Sequence, residues 1–227
     1  MQNKIWLLQN TGISLLGSMG YALMYFFIWN ENKDYEVILR FSLVSLLAML
    51  VIPIFSSIAA RVVRPNILVA IGVFVEALAY YYVAGAPVNL DVVAFLSTAG
   101  FSIKNDSLSA ASMSYRKGEA LGRTNSLNQI VKISASIISP ILVGVFSNSF
   151  GISNSLIILF YVASTLAVLI FVNLGGRTKS ETTVLPVALS LLSTKQGRMG
   201  IQSVLASGIL LGFSWGVIDI MALEQLG

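Results

Sequence analysis

The chain has 227 residues, 56% of them hydrophobic and only 11% charged, with a formal net charge of +4. That leaves too little polar surface to clothe a water-soluble globule of this length, and the composition is that of an integral membrane protein. Cysteine and histidine are both absent, which excludes disulfides, Cys/His metal sites and histidine-based nucleophile chemistry, so no enzyme activity, metal or cofactor is expected.

A bilayer core takes about 20 apolar residues in a helix. Seven stretches reach that length: residues 5–29, 35–60, 65–85, 88–113, 121–147, 151–174 and 200–223. Turn residues or charges fill most of the short gaps between the first six, which predicts an all-α bundle of antiparallel neighbours. Lys4 ahead of the first apolar run suggests a signal peptide, but the run is too long and too polar for one and lacks a cleavage site, so it counts as a span.

In chain order, span 1 sets Asn10, Ser14, Ser18, Tyr21 and Tyr25 on one helical face. Span 2 contains Pro53 near one end, and span 3 is apolar apart from Glu76. Span 4 carries Thr98, Ser102, Asn105, Asp106 and Ser109 in a stripe, with Lys104 offset from it, and span 5 carries Asn125, Asn128, Gln129, Lys132, Ser136 and Ser139, followed by Pro140. Span 6 has no comparable stripe. A polar, basic connector, 175–199, leads to span 7, where Trp215 and Asp219 stand one turn apart. Such stripes serve either helix packing or a polar path through the membrane.

Lysine and arginine fix the orientation. Lys4, Arg61, Arg64, Arg116, Lys117, Arg123, Arg177, Lys179, Lys195 and Arg198 fall on one side, and Lys33 falls in a loop on the other. The positive-inside rule then places the amino terminus in the cytoplasm and makes this a multi-pass plasma-membrane protein of bacterial type. The same bias explains the net charge, so no nucleic-acid partner is expected. Gly72, Gly85 and Gly100 form no phosphate loop, and ATP is not expected as a direct driver.

Charges deep in a span are expensive and are functional candidates. Asp106 and Lys132 lie at similar depth in spans that run in opposite directions, about 10 Å from the inner surface at about 1.5 Å per residue, and are expected to pair. Such a pair acts either as a brace or as a switch. Glu76 has no cation near it in sequence and is a proton-site candidate together with Asp106, since a desolvated carboxyl can be neutral at pH 7. Its other reading is a hydrogen bond to a neighbouring helix. Lys104 either snorkels to the surface or meets Glu76. Pro53 and Pro140 hold the same rank in a split of three plus three, each followed four residues later by a small residue, Ser57 and Gly144. Inverted repeats of transporters mirror helix interruptions in this way, and both prolines are hinge candidates.

The stretch 56–65, S-S-I-A-A-R-V-V-R-P, resembles the loop between helices 2 and 3 of the major facilitator superfamily, G-x-x-x-D-R-x-G-R-K/R. Arg61 and Arg64 match, while Ser56, Ala60, Val63 and Pro65 depart from the pattern, and Ala60 removes the aspartate of a gating salt bridge. The stretch 119–151 is similar to helix 5 of the macrolide-efflux type of drug:proton antiporters, with L-x-x-x-N-S/A-L-x-Q matched by Leu121, Asn125, Leu127 and Gln129. In that helix's second pattern, G-P-x-L-x-G, Pro140, Leu142 and Gly144 match and Ser139 replaces the glycine. The opening I-W-L-L-Q-N-T-G-I-S-L-L-G-S-M-G resembles that group's first helix.

The resemblance implies a six-helix amino-terminal transporter half, a 3+3 inverted repeat over 1–174, a cytoplasmic linker 175–199, and in 200–227 the first helix of a second half. It also implies efflux of an amphipathic drug-like compound by proton antiport, with Asn10, Ser14, Tyr21, Asp106, Trp215 and Asp219 along the path. The expected partners are the lipid bilayer, the amphipathic substrate, and a second half or another copy of the chain. The alternative is a membrane accessory or immunity-type protein that binds a partner in the bilayer without transport.

Overall fold

The computed structural model describes residues 2–85, 88–115 and 120–173, without the side chains of 2–8, 57, 61, 109–115, 120–125, 128 and 173. The expected linker and seventh span, with Trp215 and Asp219, lie outside the described residues, as does the side chain of Arg61. Six helices follow one another: α1 (Gln2–Asn32), α2 (Tyr35–Val62), α3 (Pro65–Ala84), α4 (Leu90–Tyr115), α5 (Ala120–Phe150) and α6 (Ile152–Asn173). Among the described residues there is no strand. Apolar surroundings demand this, because a helix satisfies its own backbone groups where no water can.

The turns are built from residues suited to them. Between α1 and α2, Lys33 takes a left-handed conformation (φ 47°), and the Asp34 side chain caps α2 by accepting from the Glu36 amide at 2.9 Å. Pro65 opens α3 at the first helical position, where its missing N–H costs nothing. Gly151 alone joins α5 to α6. It sits at φ 77°, open to glycine without strain, and its amide donates to the Ser147 carbonyl at 2.9 Å. Helix α5 therefore runs to Phe150, three residues past the end expected from hydropathy.

Among the described residues five helices, α1, α2, α3, α5 and α6, are long and apolar enough to cross a membrane, as in a multi-pass membrane protein. The expected fourth span is a helix but falls short in apolarity, because α4 carries Asp91, Lys104, Asp106 and a run of serines. It lies against α3 and α2, which cover much of its surface. Exposed apolar residues mark the lipid side: Leu39, Leu43, Leu47, Leu50, Ile54 and Ile58 of α2 form one stripe at helical spacing.

Chain neighbours are not the main packing partners. Helix α3 packs on α4 and α6, α2 packs on α4, and α1 packs on α5 and α6, whereas α1–α2 and α2–α3 touch little. A short connection fixes only the ends of two helices, and the faces they present decide the rest. Helix α2 turns its leucine stripe outward and sets Ala48 and Ile52 against Ala99 of α4. The α2–α4 contacts Arg40–Asp91 and Ser56–Asp106 are separated by 51 and 50 residues, so the two helices run parallel. The main core joins Leu23, Met24 and Ile28 of α1 to Phe41, Tyr80, Val83 and Leu156. A second, built on Val73, Ala77, Ala163 and Ala167, draws α3 and α6 together through small side chains.

Candidate functional site

The α3–α4 crossing holds the most buried charge. Gly72 of α3 faces the backbone of α4, where a Cβ would stand 2.5 Å from the Lys104 nitrogen and 2.9 Å from the Gly100 oxygen. Gly100 of α4 faces α3 reciprocally, and its Cβ would overlap the Glu76 backbone. The two glycines bring the helices together backbone to backbone. One turn beyond each glycine comes a charge, and Lys104 Nζ donates to Glu76 Oε2. Both residues are buried, Lys104 to 3% and Glu76 to 5% exposure.

Helix α1 closes the third side. A Cβ at Gly17 would lie 2.6 Å from Lys104 Nζ and 3.3 Å from Glu76 Oε1, so the ion pair fills the space this glycine leaves. Gly20, almost one turn on, accommodates the ring of Tyr80, which is itself one turn from Glu76 and wholly buried. The Phe101 ring lies 5.4 Å from Lys104 Nζ, a cation–π contact. Of the readings that the sequence left open, Lys104 meets Glu76, and Glu76 has a cation partner 28 residues away in the chain.

A second polar group lies on the open side of the bundle. Ser56 of α2, three residues after Pro53, donates to Asp106 Oδ2 of α4 at 2.8 Å, and its oxygen lies 3.1 Å from the Pro53 carbonyl. Asp106 is open to the surface of the bundle, while Lys132 of α5 is half-buried and feels the charges of both Asp106 and Lys104. The expected Asp106–Lys132 ion pair is not formed. The reason is topological: α4 packs on α2 and α3, whereas α5 packs on α1 and α6.

The other expected path residues are divided. Asn10 is fully buried, whereas Ser14 and Tyr21 are half-buried on the face of α1 that also holds Ser18. The Tyr21 hydroxyl lies 3.1 Å from that of Tyr25, and their rings are 4.8 Å apart. Pro53 and Pro140 both sit inside their helices. Pro140 releases the carbonyl of Ser136 from its helical bond, and Ser139 Oγ lies 3.4 Å from that oxygen. Arg64 caps the start of α3 by its backbone and is exposed.

Sequence reasoning missed the contact at the opposite end. Arg40 donates to Asp91 through Nε at 2.9 Å and through Nη2, a two-pronged pair between the starts of α2 and α4. It borders a cavity of about 540 Å³ lined by Val37, Phe41, Tyr82, Val88, Asn89 and Leu90. Arg40 and Asp91 each fall near the start of their spans, but nothing in the sequence shows that α2 and α4 run side by side. It did carry a sign of the buried pair, in the matched spacings Gly72–x–x–x–Glu76 and Gly100–x–x–x–Lys104.

No protein-family model and no curated protein matches the chain. The site therefore stands on its own geometry. Within it, one pair of charges is enclosed by three helices, while Asp106 is exposed and Lys132 half-buried.

Proposed function

We propose that this chain is the amino-terminal half of an efflux-type secondary transporter of the major facilitator kind, exporting an amphipathic small molecule in exchange for protons. The observation that carries the reading is charge that is neither enclosed nor ion-paired in two long helices: Asp106 of α4 is exposed and Lys132 of α5 is half-buried, with no ion pair to either among the described residues. Unpaired charge against lipid is costly, and its usual place is along a water-filled path. The packing order supports the reading too: α4 lies on α2 and α3 as α1 lies on α5 and α6, with α3 against α6. Two three-helix repeats, 1–3 and 4–6, give that correspondence.

Asp106 takes the proton in this scheme. It is reachable from the open face, and Ser56 can donate to its charged form and accept from its neutral form. Glu76, the other carboxylate considered for coupling, cannot take a proton without leaving Lys104 buried and unpaired. The basic residues at 61–64 and 116–123 support a cytoplasmic amino terminus in a bacterial plasma membrane. A second half, from a longer chain or another copy, completes the path.

The test is the 227-residue chain in liposomes with an imposed pH gradient, following a fluorescent amphipathic amine. Proton-coupled flux is expected. Its absence from folded, uniformly oriented protein contradicts completion of the path by another copy, and its absence in the presence of a second half as well contradicts the reading. Ala60, where the facilitator loop has aspartate, favours the second reading, a non-transporting membrane partner protein, for which the chain co-purifies with a bilayer partner and carries no flux.

A further inference from the structure

Two acceptors compete for one hydrogen at Ser56. Its Oγ lies 2.8 Å from Asp106 Oδ2 on α4 and 3.1 Å from the Pro53 carbonyl on its own helix, both within hydrogen-bond reach. A serine hydroxyl has a single proton to donate and lone pairs with which to accept. Ser56 is buried to 5% exposure, so these two neighbours settle its bonding, whereas Asp106 is exposed and open to protons from outside the bundle. The Pro53 carbonyl is also the helical acceptor for the Ser57 amide.

From this geometry we infer that Ser56 is a hydrogen-bond relay that couples protonation of Asp106 to the bend of α2 at Pro53. While Asp106 is charged, the Ser56 hydrogen points to Oδ2. The hydroxyl and the Pro53 carbonyl then face each other as two oxygens with no hydrogen between them. When a proton from water binds Oδ2, that O–H donates to Ser56 Oγ, and the Ser56 hydrogen turns about the Cβ–Oγ bond to the Pro53 carbonyl. No bond of Ser56 breaks, and the added proton stays on Asp106. The carbonyl now serves two donors, and a serine back-bond of this kind bends a helix, here beside a proline that has already removed one bond of the helical ladder. Each protonation state therefore favours its own shape of α2.

The charged groups around Asp106 do not duplicate this contact. On α3, Glu76 is held by Lys104 of α4, and Arg64 is exposed at the helix start. Glu36 and Arg40 of α2 stand near its other end, as does Glu31, the one charged residue among the described side chains of α1. The tyrosines of α1, α2 and α3 lie toward that same end of the bundle. Lys132 of α5 acts on Asp106 through its charge without pairing with it. The inference rests on the reading of Asp106 as the proton site and adds how its protonation reaches the fold.

The test is a pulsed EPR distance measurement on the whole chain in nanodiscs, diluted with unlabelled protein, with no gradient and no substrate. The chain has no cysteine, so spin labels attach only to introduced ones. Val62→Cys at the end of α2 and Val172→Cys near the end of α6, both exposed positions, report the part of α2 beyond Pro53. Leu39→Cys with Phe150→Cys, also exposed, report the part before it. Protonation of Asp106 is followed as pH falls by its carboxyl stretch in the infrared, identified by its loss in Asp106→Asn. Over that protonation the first distance is expected to shift by about 2 Å, the sweep of about 13 Å of helix through about 10°, and the second to stay constant. Ser56→Ala is expected to abolish the shift while the carboxyl still protonates, and Ser56→Thr, which keeps the hydroxyl, to retain it. A shift that survives in folded Ser56→Ala overturns the inference, as does a constant first distance while the carboxyl titrates. An Asp106 that never protonates in the folded protein overturns it together with the proton-site reading. A working relay without proton-coupled flux would defeat the transport reading alone, whereas flux through a titrating Asp106 with no shift would defeat the relay alone.

Discussion

Lys104 and Asp106 are two residues apart on one helix and live in opposite circumstances. Lys104 turns inward to Glu76, sealed by Gly17, Gly72 and Gly100, while Asp106 turns to the open face and holds a serine. Two residues are about 200° around a helix, so α4 presents a structural charge on one side and an available one on the other. The difference teaches that depth in the membrane does not mark a functional charge. Access does, because a charge that is both enclosed and paired cannot trade its partner for a proton or a ligand without a large penalty.

The division can be broken at several points. The largest effect is expected from Glu76→Leu with Lys104 retained, which strands a buried ammonium and destabilises the bundle by about 3–5 kcal/mol. Combining it with Lys104→Met should recover most of that loss, because an apolar pair of similar volume suits the site as well. Thermal unfolding in detergent measures both, and additive losses in the double variant would show that the charges are not a unit. Gly100→Val comes next: its side chain meets the Glu76 backbone, which cannot swing aside, and a loss of about 1–3 kcal/mol is expected. Gly17→Ala should cost less, since the group it meets is the flexible end of Lys104.

On the open side the balance between stability and function inverts. Asp106→Asn retains an acceptor for Ser56 and should change stability by about 1 kcal/mol or less, while proton-coupled flux falls to background. Ser56→Ala is expected to leave the fold intact and to move the pH dependence of flux, because it removes the side-chain hydrogen bond that Asp106 accepts among the described residues. Arg40→Gln should do least, because its pair with Asp91 is exposed at the end of the bundle and such pairs add little. A large loss of stability there would mean that the α2–α4 contact depends on that pair rather than on Ala48, Ile52 and Ala99.

Much of this was legible in the sequence, and for identifiable reasons. Hydropathy located all six described helices, because a span is a long run and its ends matter little to its detection. It overran at α4, where Asp91, Lys104 and Asp106 leave a helix that borrows its apolar cover from α2 and α3. Counting residues set Asp106 and Lys132 at an expected similar depth, but it could not decide whether they pair, because helical spacing says which face a residue shares and not which helix that face meets. For the same reason Ser56 was read only as a departure from a loop motif, although it is the group that touches Asp106. Glu76 looked solitary because its partner lies on another helix, and only the repeated glycine-plus-four spacing hinted at it.

The most direct test sets the two sides against each other in one assay. Proton-coupled flux would be measured in liposomes for Asp106→Asn and for the doubly apolar Glu76→Leu/Lys104→Met protein, both shown to be folded. Flux retained in the double variant and lost in Asp106→Asn is the expected result. Flux retained in Asp106→Asn and lost in the folded double variant would contradict the division, and would make the sealed pair the working charge of the protein.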